Sequence, residues 1–532
     1  MAGRRLRLRW SCVDPVASIL ALLLLVPFSS ESAVLRFPVP DAPATLDWTG
    51  TVTTTEAPII HLIAEGLYRY DYPSGKLVPA MAESIEKSKD LKKYVFRIRK
   101  DAKWSDGRPV YAQDFVESWL RVISPFGTSL YNYYFFDIVH AEDFRKRKIS
   151  EVSKVGIRAK GDHLLEVEFR RPMASWESLT TFWPFYPVRK DMIEKYGGNL
   201  WRAGILPSNG PFVAESLEPG KKLNLNRNPH YPRGASNLDS VEVYFEQDAG
   251  SILEKYKSEH YAFLPNPKPD HLKAYRGTPD LKHPRIYRNH VLVSNALKFP
   301  MNNRHFRKAV YQAIDRVKVR AAASFPSRIA NGMIPHPLPG SDKLLTPVFH
   351  LANARKALKD SGLVFGPSFK LRILTRIDPA NVSVGKEVQE QLQRGLGINV
   401  DLAALHEREF NLYANIFDYD IILVGWSAKV PTPEDFLRPY GKSASNSRLK
   451  FNSPYFQQWV EEGMQAKRPR DALKAFEQAQ RHYLTEEFVM LPLLDEDYSV
   501  LQHAWVRNLE FNHVALPVLS GVKVDDVPAK KE

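Results

Sequence analysis

A run of four apolar residues, Ile421 to Val424, stands between polar segments in the second half of the chain, and a proline-containing loop follows it. A short and mostly β-branched run of this kind predicts a strand that is buried on both faces. Gly425 permits a close approach of the backbone. Trp426, Ser427 and Lys429 then supply a broad apolar ring, a hydroxyl and a charge. This order is typical of a ligand site at the end of a strand, although Trp426 taken alone is equally consistent with a core residue.

The first half of the chain shows further regular patterns. Residues 94–98 alternate between apolar and polar positions and predict a half-buried strand. An Asp106-Gly107 turn separates this strand from a helix that begins at Ala112. Residues 208–231 predict a hairpin-like pair of strands with a turn at Asn228-Pro229.

Strands and helices alternate in the second half of the chain. We expect strands over residues 369–374 and 398–402, and helices over residues 306–316, 352–362 and 384–394. This alternation predicts an α/β sheet with largely parallel strand pairing.

The N-terminus predicts export. Four arginines between residues 4 and 9 precede an apolar run from Val16 to Phe28 and a group of small residues that ends at Ala33. Such a segment is typical of a cleaved secretory signal, and the run is short for a membrane span. Cys12, the single cysteine, precedes the apolar run, so it cannot carry the lipid of a lipoprotein. The mature chain would contain neither disulfides nor cysteine-ligated metals.

Composition narrows the class of protein. With 532 residues, 44% of them apolar and 25% charged, the chain is long enough for two or three globular domains. The formal net charge of +14 suits an anionic surface or an acidic solute, but the basic residues are spread along the chain, so no nucleic-acid site is predicted. Short signatures of hydrolases, zinc proteases and dinucleotide-binding enzymes are absent from the sequence, and we expect no catalytic residue, metal or cofactor.

Three neighbouring segments in the first half of the chain resemble, in the same order, the sequence signature of a known family. Leu77 to Ser84, Tyr94 to Gly107 and Ala112 to Trp119 together resemble the signature of solute-binding protein family 5, the peptide-binding receptors of ABC importers. The blocks at 208–231 and 418–437 resemble the same family, and the resemblance covers nearly all of the mature chain.

The resemblance implies an α/β fold of the periplasmic binding protein type II class, in which two lobes are joined by a hinge and an additional domain is inserted. Carried onto this sequence, the signal peptide is 1–33, lobe I is discontinuous over 34–77, 205–290 and 505–532, the inserted domain is 78–204, and lobe II is 291–504.

The resemblance also implies a function. A monomeric periplasmic receptor would capture a peptide or peptide-like ligand between its lobes and deliver it to the permease subunits of an ABC transporter. The alternative is a secreted receptor-like scaffold with a signalling or chaperone role. The ligand-binding candidates by position are Thr53, Thr54, Tyr134, Gly425, Trp426, Ser427, Lys429 and Asn446.

Lys429 departs from the family pattern. Family members that bind a free peptide N-terminus place an aspartate three residues after the loop tryptophan, where this chain has lysine. Two like charges about 4 Å apart cost roughly 4 kcal/mol at an effective dielectric constant near 20. Either Lys429 turns to solvent and Glu434 binds the amine, or Lys429 meets a ligand carboxylate, or import-type binding has been lost. We favour the second alternative, an acidic or N-blocked solute, because the chain is basic.

Overall fold

The computed structural model describes residues 33–50, 56–72, 74–231, 237–441 and 451–525. The strands, in chain order, are β1 (Val34–Val39), β2 (Tyr68–Asp71), β3 (Lys76–Pro79), β4 (Ala82–Lys87), β5 (Lys93–Ile98), β6 (Ile157–Ala159), β7 (Leu164–Glu168), β8 (Phe212–Glu218), β9 (Lys222–Arg227), β10 (Ser240–Phe245), β11 (Phe263–Pro265), β12 (Leu281–Lys282), β13 (Arg288–Ser294), β14 (Ser327–Ile329), β15 (Leu371–Arg376), β16 (Val400–Leu405), β17 (Ile421–Ser427), β18 (Met490–Glu496), β19 (Val500–Gln502), β20 (Val506–Arg507), β21 (Glu510–Phe511), β22 (Pro517–Val518) and β23 (Lys523–Val524).

The α-helices are α1 (Ala57–Ile63), α2 (Ala112–Val122), α3 (Ala141–Arg145), α4 (Lys190–Tyr196), α5 (Ala249–Lys257), α6 (Pro269–Leu272), α7 (Arg304–Gln312), α8 (Arg316–Ala322), α9 (Leu351–Asp360), α10 (Pro379–Leu396), α11 (Glu407–Ile416), α12 (Pro454–Gln465) and α13 (Pro469–Arg481). Short 3₁₀ turns lie at Asn132–Phe135, Trp176–Thr181, Trp183–Phe185, Pro433–Phe436 and Arg438–Tyr440.

A four-stranded sheet in the order β1-β10-β9-β8 forms the centre of the predicted lobe I. Strands β8 and β9 are antiparallel and confirm the predicted hairpin. Its turn, however, is not at Asn228-Pro229. The chain reverses at Gly220, whose φ of 69° suits a glycine. Asn228 instead follows β9, and its side chain donates to the Gly210 carbonyl at 2.8 Å, so this residue anchors a loop rather than the hairpin.

A second antiparallel sheet, β4-β5-β7-β6, lies within the predicted inserted domain. It contains the strand predicted over 94–98, and α2 begins at the predicted Ala112. Buried Asp114 explains where α2 begins, because its carboxylate accepts from the Tyr111 main chain and from Trp104 Nε1, each at 3.0 Å. Gly107 forms the predicted turn with a φ of 86°.

The six-stranded sheet of the predicted lobe II has the order β14-β18-β13-β17-β15-β16. Strand β17 lies inside it and confirms the strand predicted at Ile421. Ile421 and Leu423 belong to the apolar cluster on one face of the sheet, and Ile422 belongs to the cluster on the other face. Burial on both faces therefore explains why this strand is an uninterrupted apolar run.

The expectation of largely parallel pairing is wrong. Strand β15 is parallel to β16 and β17, but β13 is antiparallel to both of its neighbours, and β14 is antiparallel to β18. The reason is the path of the chain between sheets. It enters this sheet along β13 and leaves along β18 toward β19, which pairs with β11 and β12 in a separate sheet. An entering and a leaving strand that lie side by side run in opposite directions.

The helix predicted over 306–316 is two helices. Helix α7 ends at Gln312, and Asp315 starts α8 by accepting from the Val317 main-chain N–H at 3.0 Å. The helices predicted over 352–362 and 384–394 are present as α9 and α10, although α10 begins five residues earlier than predicted. The strands predicted over 369–374 and 398–402 are present as β15 and β16, with ends shifted by two or three residues.

The apolar cores bear on the predicted division into lobes. One continuous core contains residues of the predicted lobe I, such as Leu35 and Val241, together with residues of the inserted domain, such as Phe96 and Trp119. The predicted lobe II has two cores of its own, one on each side of its sheet. The predicted lobe I and inserted domain therefore share one apolar core, whereas most of the predicted lobe II packs in two others, and the division into domains stays a prediction.

Candidate ligand-binding site

A cavity of about 830 Å³, measured to include the part open to solvent, lies where the predicted lobe I, inserted domain and lobe II meet. Its walls come from α1, the β2–β3 hairpin, the turns at 176–185, the segment 512–520 and Lys429. Aromatic and imidazole rings dominate the walls. They are His61, Tyr68, Tyr70, Tyr72, Phe182, Trp183, Tyr186, Tyr231 and His513.

Close backbone packing holds the floor of the cavity beside α1. A Cβ on Gly66 would lie 1.9 Å from the Thr180 carbonyl oxygen, so only glycine fits there. The Asn209 side chain accepts from the Glu65 main-chain N–H and donates to the Glu65 carbonyl, at 3.2 and 2.8 Å. The Ser-Asn-Gly segment at 208–210 thereby fixes the residues after α1.

The main chain of Lys429 is fixed on both sides. Its N–H donates to Asp435 Oδ2 at 2.5 Å, and its carbonyl lies 2.9 Å from His513 Nε2. A carbonyl only accepts, so His513 carries its proton on Nε2, and Nδ1 accepts from the Tyr72 hydroxyl at 2.9 Å. Burial lowers the pKa of His513 to about 4, so the ring is neutral at neutral pH. His513 thereby links the C-terminal segment to the β17 loop.

The ammonium of Lys429 lies among three aromatic rings. Its Nζ is 5.7 Å from the centroid of Tyr131, 6.0 Å from that of Trp183 and 5.9 Å from that of Trp426. These distances are within the range of cation–π contacts. Burial lowers the pKa of Lys429 to about 8; the Asp435 charge opposes this shift. Within the part of the chain that the structure describes, Nζ makes no ion pair.

His61 lines the cavity, and its hydrogen bonds leave one ring nitrogen as an acceptor. The Tyr186 hydroxyl donates to the Thr181 carbonyl at 3.0 Å, so it accepts from His61 Nδ1, 2.9 Å away. That arrangement leaves Nε2 of the neutral ring without a proton. Burial, with a contribution from His513, lowers the pKa of His61 to about 3. The ring is therefore suited to accept an N–H from a ligand.

The predicted site residues occupy different positions relative to the cavity. Lys429 lines the cavity. Trp426 is half-buried and donates from Nε1 to the Asp435 carbonyl at 3.2 Å. Tyr134 is buried, and its hydroxyl donates to Asp435 Oδ1 at 2.6 Å. Gly425 admits the Arg288 side chain, whose Nε would lie 3.0 Å from an added Cβ.

Ser427 is half-buried at the end of β17, opposite Arg288 on β13. Thr53, Thr54 and Asn446 lie outside the described residues, as does the predicted signal peptide apart from Ala33. Of the predicted residues that are described, Lys429 is the one in the cavity wall, and the ligand-binding role of the whole set stays a prediction.

Sequence reasoning missed most of the cavity wall. His61, Tyr72, Trp183, Tyr186 and His513 come from segments separated by up to several hundred positions, and none lies in a recognisable ligand motif. The aromatic run at 182–186 was the one available signal, because aromatic residues are common in ligand sites. Asp435, which holds the β17 loop, was also missed.

The described part of the chain lacks two features that mark other classes of protein. No group of three or more histidine, cysteine, aspartate or glutamate side chains there is arranged to hold a metal ion. No helix within the same residues combines the length and apolar character that a membrane crossing needs.

Comparison with known proteins gives consistent matches. A family model described as "Bacterial extracellular solute-binding proteins, family 5 Middle" matches residues 76–448. The periplasmic oligopeptide-binding protein OppA of Escherichia coli is 27% identical over 444 residues, which cover 80% of this chain and 79% of OppA. The periplasmic murein peptide-binding protein MppA of the same organism is 25% identical over 492 residues, covering 89% of this chain and 90% of MppA.

Among solved structures, a periplasmic oligopeptide-binding protein of Borrelia burgdorferi, OppAIV, superposes with a TM-score of 0.83. The match covers 93% of this chain and 100% of that chain at 23% sequence identity. At this level of identity the likeness concerns the fold, and it extends over both predicted lobes.

Proposed function

The chain belongs to the bacterial extracellular solute-binding proteins of family 5, and from this premise we propose that it captures peptides or a peptide-like solute between its lobes and delivers them to the permease of an ABC transporter. The observation that carries the proposal is the family match over residues 76–448. The fold is that of the type II periplasmic binding proteins. The relatives named above are binding proteins for oligopeptides and murein peptides.

The cavity walls support a peptide-like ligand. A peptide backbone offers N–H donors and carbonyl acceptors at regular intervals, and His61 Nε2 is an acceptor at the cavity wall. Tyr70 and Trp183 add large rings against which apolar side chains pack. Such a site combines a few hydrogen bonds with broad apolar contact, as ligand cavities commonly do.

We assign two roles to the predicted site residues. Lys429 contacts the ligand directly, because it lines the cavity. Tyr134 and Trp426 act through Asp435, to which both donate hydrogen bonds, and so they position the loop that carries Lys429. Thr53, Thr54, Gly425, Ser427 and Asn446 are further candidate contacts by position in the family.

The family places the protein outside the cytoplasm. We propose export to the periplasm by a cleaved signal at residues 1–33, without a lipid anchor because Cys12 lies before the apolar run. The protein would act as a monomer that binds its ligand without turnover. The scaffold alternative gains no support from the relatives, whose names describe peptide binding.

Thermal unfolding of the purified mature protein tests the proposal. A ligand that binds only the folded state adds about 2.7 kcal/mol of stability at a concentration of 100 Kd, which raises the melting temperature. We expect at least one member of a panel of di- to pentapeptides and murein peptides to produce such a shift, and the corresponding free amino acids serve as controls. A flat response to the whole panel, or hydrolysis of a peptide at a catalytic rate, contradicts the proposal.

A further inference from the structure

We propose that the cavity selects solutes with a carboxylate, and that this carboxylate is held between the ammonium of Lys429 and the indole N–H of Trp183. The inference rests on the proposed function and names the chemical class that the same site takes. Three observations support it: a charge without a partner, a buried donor without an acceptor, and the distribution of charge in the wall.

The first observation is the environment of Lys429. Its Nζ has lost much of its water to the rings of Tyr131, Trp183 and Trp426. Contact with aromatic faces replaces only part of the hydration of an ammonium, and a charge removed from water is normally paired. No carboxylate among the described residues pairs with Nζ. An anionic group of a bound solute would supply that partner.

The carboxylate in the same loop is already engaged. Asp435 Oδ1 accepts from the Tyr134 hydroxyl, and Oδ2 accepts from the main-chain N–H of Lys429 rather than from its ammonium. Asp435 therefore fixes the backbone of Lys429 without pairing with its ammonium.

The second observation is the indole of Trp183. This residue is 2% exposed and lines the cavity, yet its Nε1 has no acceptor among the described residues. Trp426, on another side of the same ammonium, donates from Nε1 to the Asp435 carbonyl. A buried donor usually has a partner in a folded protein. A carboxylate oxygen beside Lys429 would accept from both Nζ and the Trp183 indole.

The third observation is the balance of charge around the cavity. Lys429 and Arg69 are its cationic residues and Glu65 is its anionic residue among the described lining. Glu65 lies 3.8 Å from Arg69, four positions further along the chain, so these two charges offset each other. His61 and His513 are neutral, as their hydrogen bonds and lowered pKa values require. One positive charge remains, and a ligand ammonium placed beside it would be repelled.

Blocked tripeptides distinguish the possible sources of the carboxylate. N-acetyl-Ala-Ala-Ala carries it at the C-terminus, and N-acetyl-Ala-Glu-Ala-amide carries it on a side chain. Ala-Ala-Ala-amide carries only a free amine, and N-acetyl-Ala-Ala-Ala-amide is neutral. Titration calorimetry with the wild-type protein should show one or both anionic peptides binding at least about tenfold more tightly than the cationic peptide.

Two variants test whether Lys429 and Trp183 cause the preference for a carboxylate, and a third variant is the control. Lys429→Met keeps the length of the side chain without its charge and should weaken binding of the anionic peptide about tenfold while leaving the neutral peptide unchanged. Trp183→Phe keeps the ring without the donor and should weaken the same peptide by about threefold to fivefold. Lys343→Met removes an exposed lysine of lobe II that pairs with Glu477, and it should change no affinity.

The outcomes separate this inference from the proposed function. Equal affinity for anionic and cationic peptides, or a preference that survives Lys429→Met, overturns the inference while peptide capture stands. Failure of every peptide to bind counts against both. If Lys429→Met does not fold, Trp183→Phe and the wild-type comparison still decide, because a preference for the cationic peptide is incompatible with the site described.

Discussion

Two groups of buried charges lie where the inserted domain meets lobe II, and they differ in how the charge is balanced. In the first, which we call the Asp137 cluster, buried Asp137 accepts from Arg171 at 2.7 Å and from Arg438 at 2.9 Å, and Arg171 also lies 3.2 Å from Glu461. In the second, Lys429 extends from lobe II toward aromatic rings of the inserted domain and has no carboxylate partner among the described residues.

The contrast separates charges that join parts of the protein from a charge that is available to a ligand. Burial opposes ionisation of Asp137, but the charges of Arg438 and Arg171 outweigh it and lower the pKa of Asp137. At Lys429 burial prevails, and the pKa falls. A compensated buried charge stabilises a contact once formed, whereas an uncompensated one in a cavity is the usual mark of a functional site.

The largest effect should come from breaking the Asp137 cluster. Asp137→Asn leaves Arg171 and Arg438 close together without the carboxylate between them, and loss of one partner from a buried ionic group costs about 3–5 kcal/mol. Chemical denaturation should therefore show a large fall in the free energy of unfolding. Asp143→Asn, which removes a more exposed carboxylate of the same domain, is the matched control and should cost less than about 1 kcal/mol. Equal losses in the two variants would remove the distinction.

A substitution at Lys429 should change the free energy of unfolding in the opposite direction. Lys429→Met removes an ammonium that burial destabilises and adds apolar contact to three rings, so the ligand-free protein should gain about 1–2 kcal/mol. The gain is smaller than the lowered pKa alone would imply, because part of the side chain remains exposed. A fall in the melting temperature of the ligand-free variant would show that the charge is compensated after all.

The pH dependence of binding sharpens the comparison. Because the pKa of Lys429 in the ligand-free protein is about 8, the proton is bound below that pH and lost above it. Affinity for an anionic peptide should be constant between pH 6 and 7.5 and fall by up to about tenfold per unit above pH 8. Calorimetry at pH 8.5 in two buffers of different ionisation enthalpy should detect proton uptake on binding.

Other charged groups also act on Lys429. The Asp435 charge favours the ammonium and the charges of Arg288 and Arg376 oppose it, while the pKa of His513, about 4, lies below this window. Stability of the ligand-free protein should instead rise from pH 8 toward 10.5, since the unfolded chain then binds the extra proton. Lys429→Met should show neither effect, and a persistent slope in that variant would assign the titration to another group.

The smallest effect is expected at the edge of the Asp137 cluster. Glu461→Gln removes a carboxylate that is 40% exposed, and such a partner contributes less than about 0.5 kcal/mol. The change in unfolding free energy should shrink further in 0.5 M salt. A loss comparable to that of Asp137→Asn would mean that the whole cluster acts as one unit.

Much of the fold follows from local patterns in the sequence. The apolar run at Ile421 required a strand buried on both faces, and the block from Leu77 to Trp119 contained the strand, turn and helix of the family. The candidate site was predicted less completely. The unusual lysine at 429 was evident, but the rings around it were not, because Tyr131 and Trp183 reach it from another domain.

The sequence by itself determined the local elements, the family and the residue type at position 429, since each of these depends on neighbours in the chain or on the identity of one residue. Tertiary structure alone decided the antiparallel placement of β13 and β18 and the surroundings of Lys429. Tyr134 and Asp435 are 301 positions apart and meet at 2.6 Å. Contacts of this kind arise from how the lobes pack, and no periodicity within a segment encodes them.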